Sequence, residues 1–201
     1  SVDVTGDQVY SQMQNVTIVT SLDITPYASL TIYGQLVINE GVTLTIQDNA
    51  ELIVSGDVAK MIVNGTIEVE GDGTISVLGA DSVTVSGTIT SEGTVDIQSN
   101  VTIEEGGSIF IDDADNSELT VTDGLTINAG GSVEVRGEMA QTSISNKGTV
   151  TLNGTVLSGA VNIYMAADGA VVDIRSFTTS NAAGANGSLS ISDSGLVLED
   201  N

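Results

Sequence analysis

The densest group of residues that could carry chemistry is an acidic run, Asp112-Asp-Ala-Asp-Asn-Ser-Glu118. A turn would bring the oxygen atoms of Asp113, Asp115 and Ser117 to one side of the chain, with Glu118 directly after them. Carboxylate and hydroxyl oxygens are the ligands that Ca²⁺ prefers, but the glycine and the final glutamate of an EF-hand loop are absent. The run therefore has two interpretations: a calcium site at these four residues, or a solvated acidic loop.

Catalytic chemistry has little support in the residue types. Pairs of carboxylates, the machinery of glycosidases, are unavoidable in a chain with 27 acidic residues. There is no histidine to act as a general base, no cysteine nucleophile and no tryptophan to stack a sugar. We expect no enzymatic activity and no cofactor other than calcium.

Glycosylation is the other chemistry that the sequence offers. Five Asn-X-Ser/Thr sequons are candidates for N-glycans, which would place each one on the surface of an exported protein. Asparagine at corners and threonine in strands also produce such triplets by chance. The candidate asparagines are Asn15, Asn64, Asn100, Asn153 and Asn186.

Charge restricts the partners. Four basic residues against 27 acidic ones give a net charge of −23, which repels nucleic-acid phosphates and anionic membrane surfaces. The sequence has no apolar run long enough to cross a bilayer. The expected partners are therefore cations, glycans or further copies of the chain, and not nucleic acid or a membrane.

The elements that would position these residues are short strands. From Leu30 to Ile111 the chain repeats a unit of four or five alternating residues followed by glycine or asparagine, as in Thr66-Ile-Glu-Val-Glu-Gly71. Alternation of valine or isoleucine with polar residues is typical of half-buried strands. In this unit Ile67 and Val69 should point inward, and Thr66 and Glu68 outward.

A longer period groups the strands. Asn64-Gly-Thr-Ile recurs as Ser86-Gly-Thr-Ile, 22 residues later, and glycine pairs recur at Gly65/Gly71 and Gly87/Gly93. A coil of about 20 to 24 residues with three short strands predicts a parallel β-solenoid. Corner glycines would supply positive φ angles. The alternative is an antiparallel β-sandwich with strand exchange, which also has many short strands.

The two ends depart from the repeat. We expect a single domain in which residues 1–15 form an N-terminal cap or donor segment, 16–160 the solenoid, and 161–201 a C-terminal cap or strand-exchange segment. A short helix is expected from Asp7 to Gln14, and strands near 170–177 and 188–192. A final strand containing Leu196, Val197 and Leu198 is the predicted assembly strand, because an open strand edge accepts a further strand.

Several threonine pairs raise the question of an ice-binding ladder. The pairs Thr43/Thr45, Thr88/Thr90, Thr120/Thr122 and Thr149/Thr151 are irregularly spaced along the chain. Threonine is also ordinary on an exposed strand face. The sequence therefore does not predict a flat threonine array.

The run from Leu30 to Ile46 and the segment Asn64-Gly-Thr-Ile-Glu-Val-Glu-Gly71 resemble the coils of secreted β-helix surface proteins, of the archaeal and bacterial sheath, filament or adhesin type. The resemblance covers roughly residues 16 to 160. It implies an extracellular, cell-surface location and a structural or adhesive role. The expected function is thus a self-assembling subunit of a surface filament, sheath or layer, a homo-oligomer or polymer joined by strand-to-strand contacts. The alternative is a monomeric β-helix adhesin or glycan-binding module.

Overall fold

The computed structural model describes residues 2–11, 14–180 and 186–193, and within these ranges it contains strands and no helix. The strands are β1 (Val2–Val4), β2 (Asp7–Tyr10), β3 (Val16–Ile18), β4 (Leu22–Ile24), β5 (Ser29–Ile32), β6 (Gln35–Ile38), β7 (Thr43–Ile46), β8 (Glu51–Ser55), β9 (Lys60–Val63), β10 (Thr66–Val69), β11 (Thr74–Leu78), β12 (Ser82–Val85), β13 (Thr88–Ser91), β14 (Thr94–Gln98), β15 (Asn100–Ile103), β16 (Ser108–Ile111), β17 (Glu118–Ile127), β18 (Ser132–Val135), β19 (Glu138–Asn146), β20 (Thr149–Leu157), β21 (Ala160–Met165), β22 (Val171–Thr179) and β23 (Ser188–Asp193).

Every strand pairs in parallel with the strand three places along, until the strands lengthen in the second half of the chain. This pairing makes a solenoid of about eight turns with three faces. Face A comprises β1, β4, β7, β10, β13, β16, β18 and residues 149–152 and 171–174. Face B comprises β2, β5, β8, β11, β14 and residues 118–121, 138–139, 156–157 and 177–179. Face C comprises β3, β6, β9, β12, β15, residues 124–127 and 142–146, β21 and β23.

The predicted parallel β-solenoid is confirmed, and the antiparallel sandwich is wrong because the strand pairs are parallel. The predicted period also appears in the register, since Thr66 pairs with Thr88, 22 residues on. Turn length nevertheless varies. Ser132 pairs with Thr149 after 17 residues, whereas Ala160 pairs with Ser188 after 28.

The core consists of aliphatic columns that run along the solenoid. On face A one inward column is built from residues in direct register, all but the two ends fully buried. Its members are Leu22, Leu44, Ile67, Ile89, Ile109, Val133, Val150 and Val172. Strands about 4.8 Å apart place each side chain in contact with the next. This explains why a core poor in aromatic residues is sufficient.

The corners between faces C and A require glycine because of close packing. A Cβ atom at Gly87 would overlap the carbonyl oxygen of Gly65 in the turn below, and one at Gly65 would overlap the carbonyl oxygens of Asn39 and Val42. The positive φ expected at corner glycines is found at Gly71, with φ of 50°, but not at Gly65 or Gly87. Close approach of two backbones is the second reason for glycine in such turns.

The second half of the solenoid is built from longer strands that bend around corners. β17, β19, β20 and β22 each contribute to two faces, with register shifts where they bend. Asn153 and Thr155 lie at the bend of β20, and Gly154 between them has a φ of 74°. The glycine provides the backbone conformation that lets one strand serve two faces.

The expected ends need one correction. The helix predicted from Asp7 is wrong over Asp7–Tyr10, which forms β2 and pairs with β5. In-register pairing along β5 outweighs the weak helical pattern of this segment. The described parts of both end segments continue the stacks, from β1 to β23. The strands expected near 170–177 and 188–192 are confirmed as β22 and β23.

Candidate functional site

The corners between faces A and B bring many of the acidic side chains together, and we call this column of corners the acidic corner. Its carboxylates are Asp48, Glu70, Asp72, Glu92, Asp112, Asp113 and Asp115. Successive turns stack about 4.8 Å apart, so carboxylates of different turns approach one another. Local repulsion is therefore built into this edge of the molecule.

Backbone and amide donors partly offset this repulsion. The Asp48 carboxylate accepts a hydrogen bond from the backbone N–H of Asp72 at 2.9 Å. The Asp72 carboxylate in turn accepts one from the Asn116 side chain at 2.7 Å. These contacts link the corners of three turns, with Asn116 two turns beyond Asp72, so Asp48 and Asp72 have structural roles.

Arg136 is the basic residue beside this corner. Its guanidinium lies 2.8 Å from the Glu134 carboxylate and 3.9 Å from that of Asp112, and 4.8 Å above the Phe110 ring. Exposed ion pairs of this kind contribute little to stability. A shallow groove of about 350 Å³ lies alongside, lined by Phe110, Asp112 and glutamates of the preceding turns.

The structure brings the predicted calcium ligands together only in part. Asp115, Ser117 and Glu118 line one groove of about 360 Å³, and Asp113 is not among the residues that line it. Among the described residues, no group of three or more acidic side chains is arranged to hold a metal ion. Calcium binding at Asp113, Asp115, Ser117 and Glu118 stays a prediction.

Ser117 has a structural role that the sequence did not indicate. Its side chain is buried, and its hydroxyl lies 2.6 Å from the carbonyl oxygen of Asp112 and 2.9 Å from that of Ala114. The backbone N–H of Ala114 donates to the same hydroxyl at 3.3 Å. This hydroxyl holds the acidic loop in shape, and a bound cation would have to compete with these contacts.

The five sequons differ in their settings. Asn15, Asn64, Asn100 and Asn186 are exposed, whereas Asn153 is half-buried at the bend of β20. The hydroxyl of Thr155, the third residue of that sequon, is buried and donates to the carbonyl oxygen of Val135. Glycosylation remains a prediction for all five, and in the folded chain Asn153 is the least accessible of them to a glycosylating enzyme.

A column of hydroxyl groups on face A was missed. The register aligns Thr43, Thr66, Thr88, Ser108, Ser132 and Thr149 on the outside of six successive turns. These residues are irregularly spaced in the sequence because the corners differ in length, yet the strand register places them in one column. The neighbouring outward column contains Glu68, Phe110 and Glu134, so the face is not a two-column threonine array.

The last turn leaves its inward apolar residues uncovered in the described part of the chain. Ile174 is 42% exposed and Ile191 is 37% exposed, although the residues below them in the same columns, Leu152 and Ile163, are buried. Phe177 at the intervening corner is 39% exposed. The predicted assembly strand, Leu196, Val197 and Leu198, lies outside the described residues.

Comparisons with known proteins add no family. The described part of the chain has no helix long and apolar enough to cross a membrane. No family model, no curated protein and no solved structure matches this chain.

Proposed function

We propose that this chain is a structural, self-assembling subunit of an extracellular filament, sheath or layer, in which the last turn of one copy stacks on the first turn of the next. The observation that carries the proposal is the exposed apolar end formed by Ile174, Phe177 and Ile191. Inward positions of a solenoid gain their stability from the turn above, so an uncovered turn favours a further one.

The two ends of the described solenoid are compatible in register. On face A, Ile174 continues the inward column that begins at Val4. On face C, Ile191 continues the column that begins at Val16. Stacking two copies end to end would extend both columns without a break. It would also pair the open edges of β22 and β23 with those of β1, β2 and β3 through main-chain hydrogen bonds.

Such a contact joins two different surfaces, so it repeats from copy to copy and gives an open filament unless the rotation closes a ring. The extracellular location is supported by the resemblance of the repeat to secreted β-helix proteins and by the sequons. The second candidate, a monomeric adhesin or glycan-binding module, would leave the chain as isolated particles.

The test compares two aspartate substitutions on one strand. Ile174→Asp places a charge in the proposed contact, whereas Val171→Asp places the same charge on the outward side of β22, where Val171 is exposed. We expect negative-stain images and sedimentation velocity to show end-to-end polymers for wild type and Val171→Asp, and single particles for Ile174→Asp. Both variants should keep the wild-type circular dichroism spectrum.

Two results would overturn the proposal. The first is a wild-type chain that stays monomeric from micromolar to millimolar concentration, and the second is polymers that survive Ile174→Asp unchanged. A chain shortened after Gly195 separately tests Leu196–Leu198. Normal polymers from that chain would remove the predicted assembly strand from the mechanism and leave the end-to-end contact standing.

A further inference from the structure

Face C differs from the other two faces in charge. Outward acidic residues occur on face A, as at Glu68 and Glu134, and on face B, as at Glu51 and Glu118. The strands of face C from β3 to β21 contain no acidic residue, and their one charged side chain, Lys60, lies 3.3 Å from Asp81. In a chain with a net charge of −23, one face is therefore almost free of charge.

A shallow groove of about 380 Å³ lies on this face, near its C-terminal end. Apart from the carboxylate of Asp123, its polar side chains are neutral hydroxyls and amides around one aromatic ring. They include Asn100, Thr126, Ser143, Ser145, Asn162 and Tyr164. Tyr164 is 46% exposed and stands in register between Ser145 and Ser192, so no bulky neighbour in its column covers the ring.

Four polar side chains of the groove have no hydrogen-bond partner among the residues that the structure describes. The side chains of Thr126, Ser143, Ser145 and Asn162 make no hydrogen bond to any described residue. Elsewhere the hydroxyls that matter to the fold, such as those of Ser91 and Ser117, are bonded to backbone groups. The groove thus offers donors and acceptors on a rigid sheet, beside an exposed ring with an apolar face.

We propose that this groove is a binding site for a neutral carbohydrate chain. Sugar rings present C–H groups that pack on an aromatic face and hydroxyls that exchange hydrogen bonds with amides and hydroxyls. In small-molecule sites, a few precisely placed polar groups around an apolar surface set the orientation of the ligand. The site is distinct from the end-to-end contact, because Tyr164 points outward from the side of the solenoid and Ile174 lies inward at its end, although Ser192 of the last turn borders the groove.

Charge selects among the possible ligands. A polyanionic glycan would be repelled by the net charge of the molecule. A cation would be drawn to the acidic corner rather than to a groove whose one carboxylate, Asp123, lies at the corner before face C. A second copy of the chain would meet no complementary charge on this face, whereas the exposed Tyr164 ring beside unbonded hydroxyls and amides matches the C–H and hydroxyl groups of a neutral glycan.

The experiment is a titration followed by two-dimensional ¹⁵N–¹H NMR, with the whole chain made in a host that does not attach N-glycans, since Asn100 lines the groove. The probes are hexasaccharides of glucose, mannose and N-acetylglucosamine, with oligogalacturonate as the anionic comparison. We expect at least one neutral probe to shift the amides of residues 126, 143–145 and 162–164, and oligogalacturonate to shift none of them.

Variants make the assignment specific. Tyr164→Ala should weaken binding about tenfold, whereas Tyr164→Phe should retain it, because the ring rather than its hydroxyl does the packing. Tyr27→Ala is the matched control, since Tyr27 is 80% exposed at a corner between faces A and B. Asn162→Ala provides a second variant in the groove, and the amide spectrum itself reports whether each variant is folded.

Three outcomes would overturn the proposal. The neutral probes could produce no shifts at millimolar concentration, or shifts located away from the groove. Alternatively, the groove amides could broaden with protein concentration alone, which would assign the face to contact between copies. All spectra are recorded in the Ile174→Asp background, which is expected to stay as single particles, so that none of the three outcomes depends on polymerisation through Ile174.

Discussion

Single polar residues shape the corners of this solenoid from within. Ser91 occupies an inward column otherwise filled by residues such as Val69 and Ile111, and its hydroxyl accepts the N–H of Gly93 at 3.1 Å. Asn146 occupies an inward position on face C, fully buried. In both cases a buried side chain satisfies the backbone of the short turn that follows, which a hydrocarbon could not do.

Asn146 provides the sharpest test at this scale. Its side-chain amide donates to the carbonyl oxygen of Val171 at 2.9 Å, and its side-chain oxygen accepts the N–H of Gly148 at 3.0 Å. We expect Asn146→Ala to lower the free energy of unfolding by about 1–3 kcal/mol for each group left unpaired. Urea denaturation followed by circular dichroism measures the change.

Two comparisons separate hydrogen bonding from packing. Asn146→Leu restores an apolar side chain to the column but not the hydrogen bonds, so it should remain destabilised. Asn64→Ala removes an exposed corner asparagine and should change stability by less than about 0.5 kcal/mol. An Asn146→Leu variant as stable as wild type would show that the amide contacts do not matter.

The strands were largely predictable because the sequence carries two signals for them: alternation within each strand and a repeat from one turn to the next. Alternation in Thr66–Val69 assigned the inward and outward residues, and the return of the Gly-Thr-Ile sequence 22 residues later placed one strand above another. β2 could not be predicted, since Asp7–Tyr10 has little alternation and becomes a strand only through pairing with β5.

The candidate sites were less predictable, because they depend on which corners stack. The acidic run at Asp112 is visible in the sequence, but the inward contacts of Ser117 are not. The groove beside Tyr164 draws residues from several turns whose lengths differ. Aligning the coils on their inward residues would have found it, but the corner lengths needed for that alignment emerge only from the strand register.

Because the corners between faces C and A are closely packed, adding a single methyl group at a corner glycine should strongly lower the stability of the fold. Gly87→Ala would bring a Cβ into the backbone carbonyl of Gly65, so the two turns must move apart. We expect a loss of about 1–3 kcal/mol in the free energy of unfolding, as overpacked sites show. Thermal and urea denaturation of the purified variant check this value.

Gly169→Ala is the matched control for this element. A Cβ at Gly169 meets no atom within 4 Å, and its backbone does not lie in the left-handed region. This variant should change stability by less than about 0.5 kcal/mol. Equal effects of the two substitutions would mean that the corner is not the source of the constraint.

At the scale of the whole molecule, charge and assembly oppose each other. The net charge is −23, and acidic residues lie on faces A and B and in the acidic corner, whereas the strands of face C from β3 to β21 have none. Two copies stacked end to end bring these acidic surfaces into line along the filament. Like charges within a Debye length repel, so the proposed contact needs counter-ions as well as apolar surface.

Ionic strength therefore should control assembly. We expect sedimentation velocity to show larger species as sodium chloride reduces the screening length from roughly 30 Å at 0.01 M to roughly 8 Å at 0.15 M.

Calcium chloride at matched ionic strength should act more strongly than sodium chloride if the predicted site is occupied. Asp115→Asn with Glu118→Gln should then remove the difference.

Comparing sodium chloride with calcium chloride at matched ionic strength distinguishes general charge screening from calcium binding at the predicted site. Polymers that respond equally to both salts would leave general screening as the cause and would contradict a calcium site at Asp113, Asp115, Ser117 and Glu118. Polymers that dissolve as the sodium chloride concentration rises would contradict the apolar end contact itself. Salt screens the repulsion between copies and does not weaken the burial of Ile174 and Ile191, so it should favour such a contact. Apolar contacts strengthen or stay constant with salt, so only an assembly held by attraction between opposite charges would weaken.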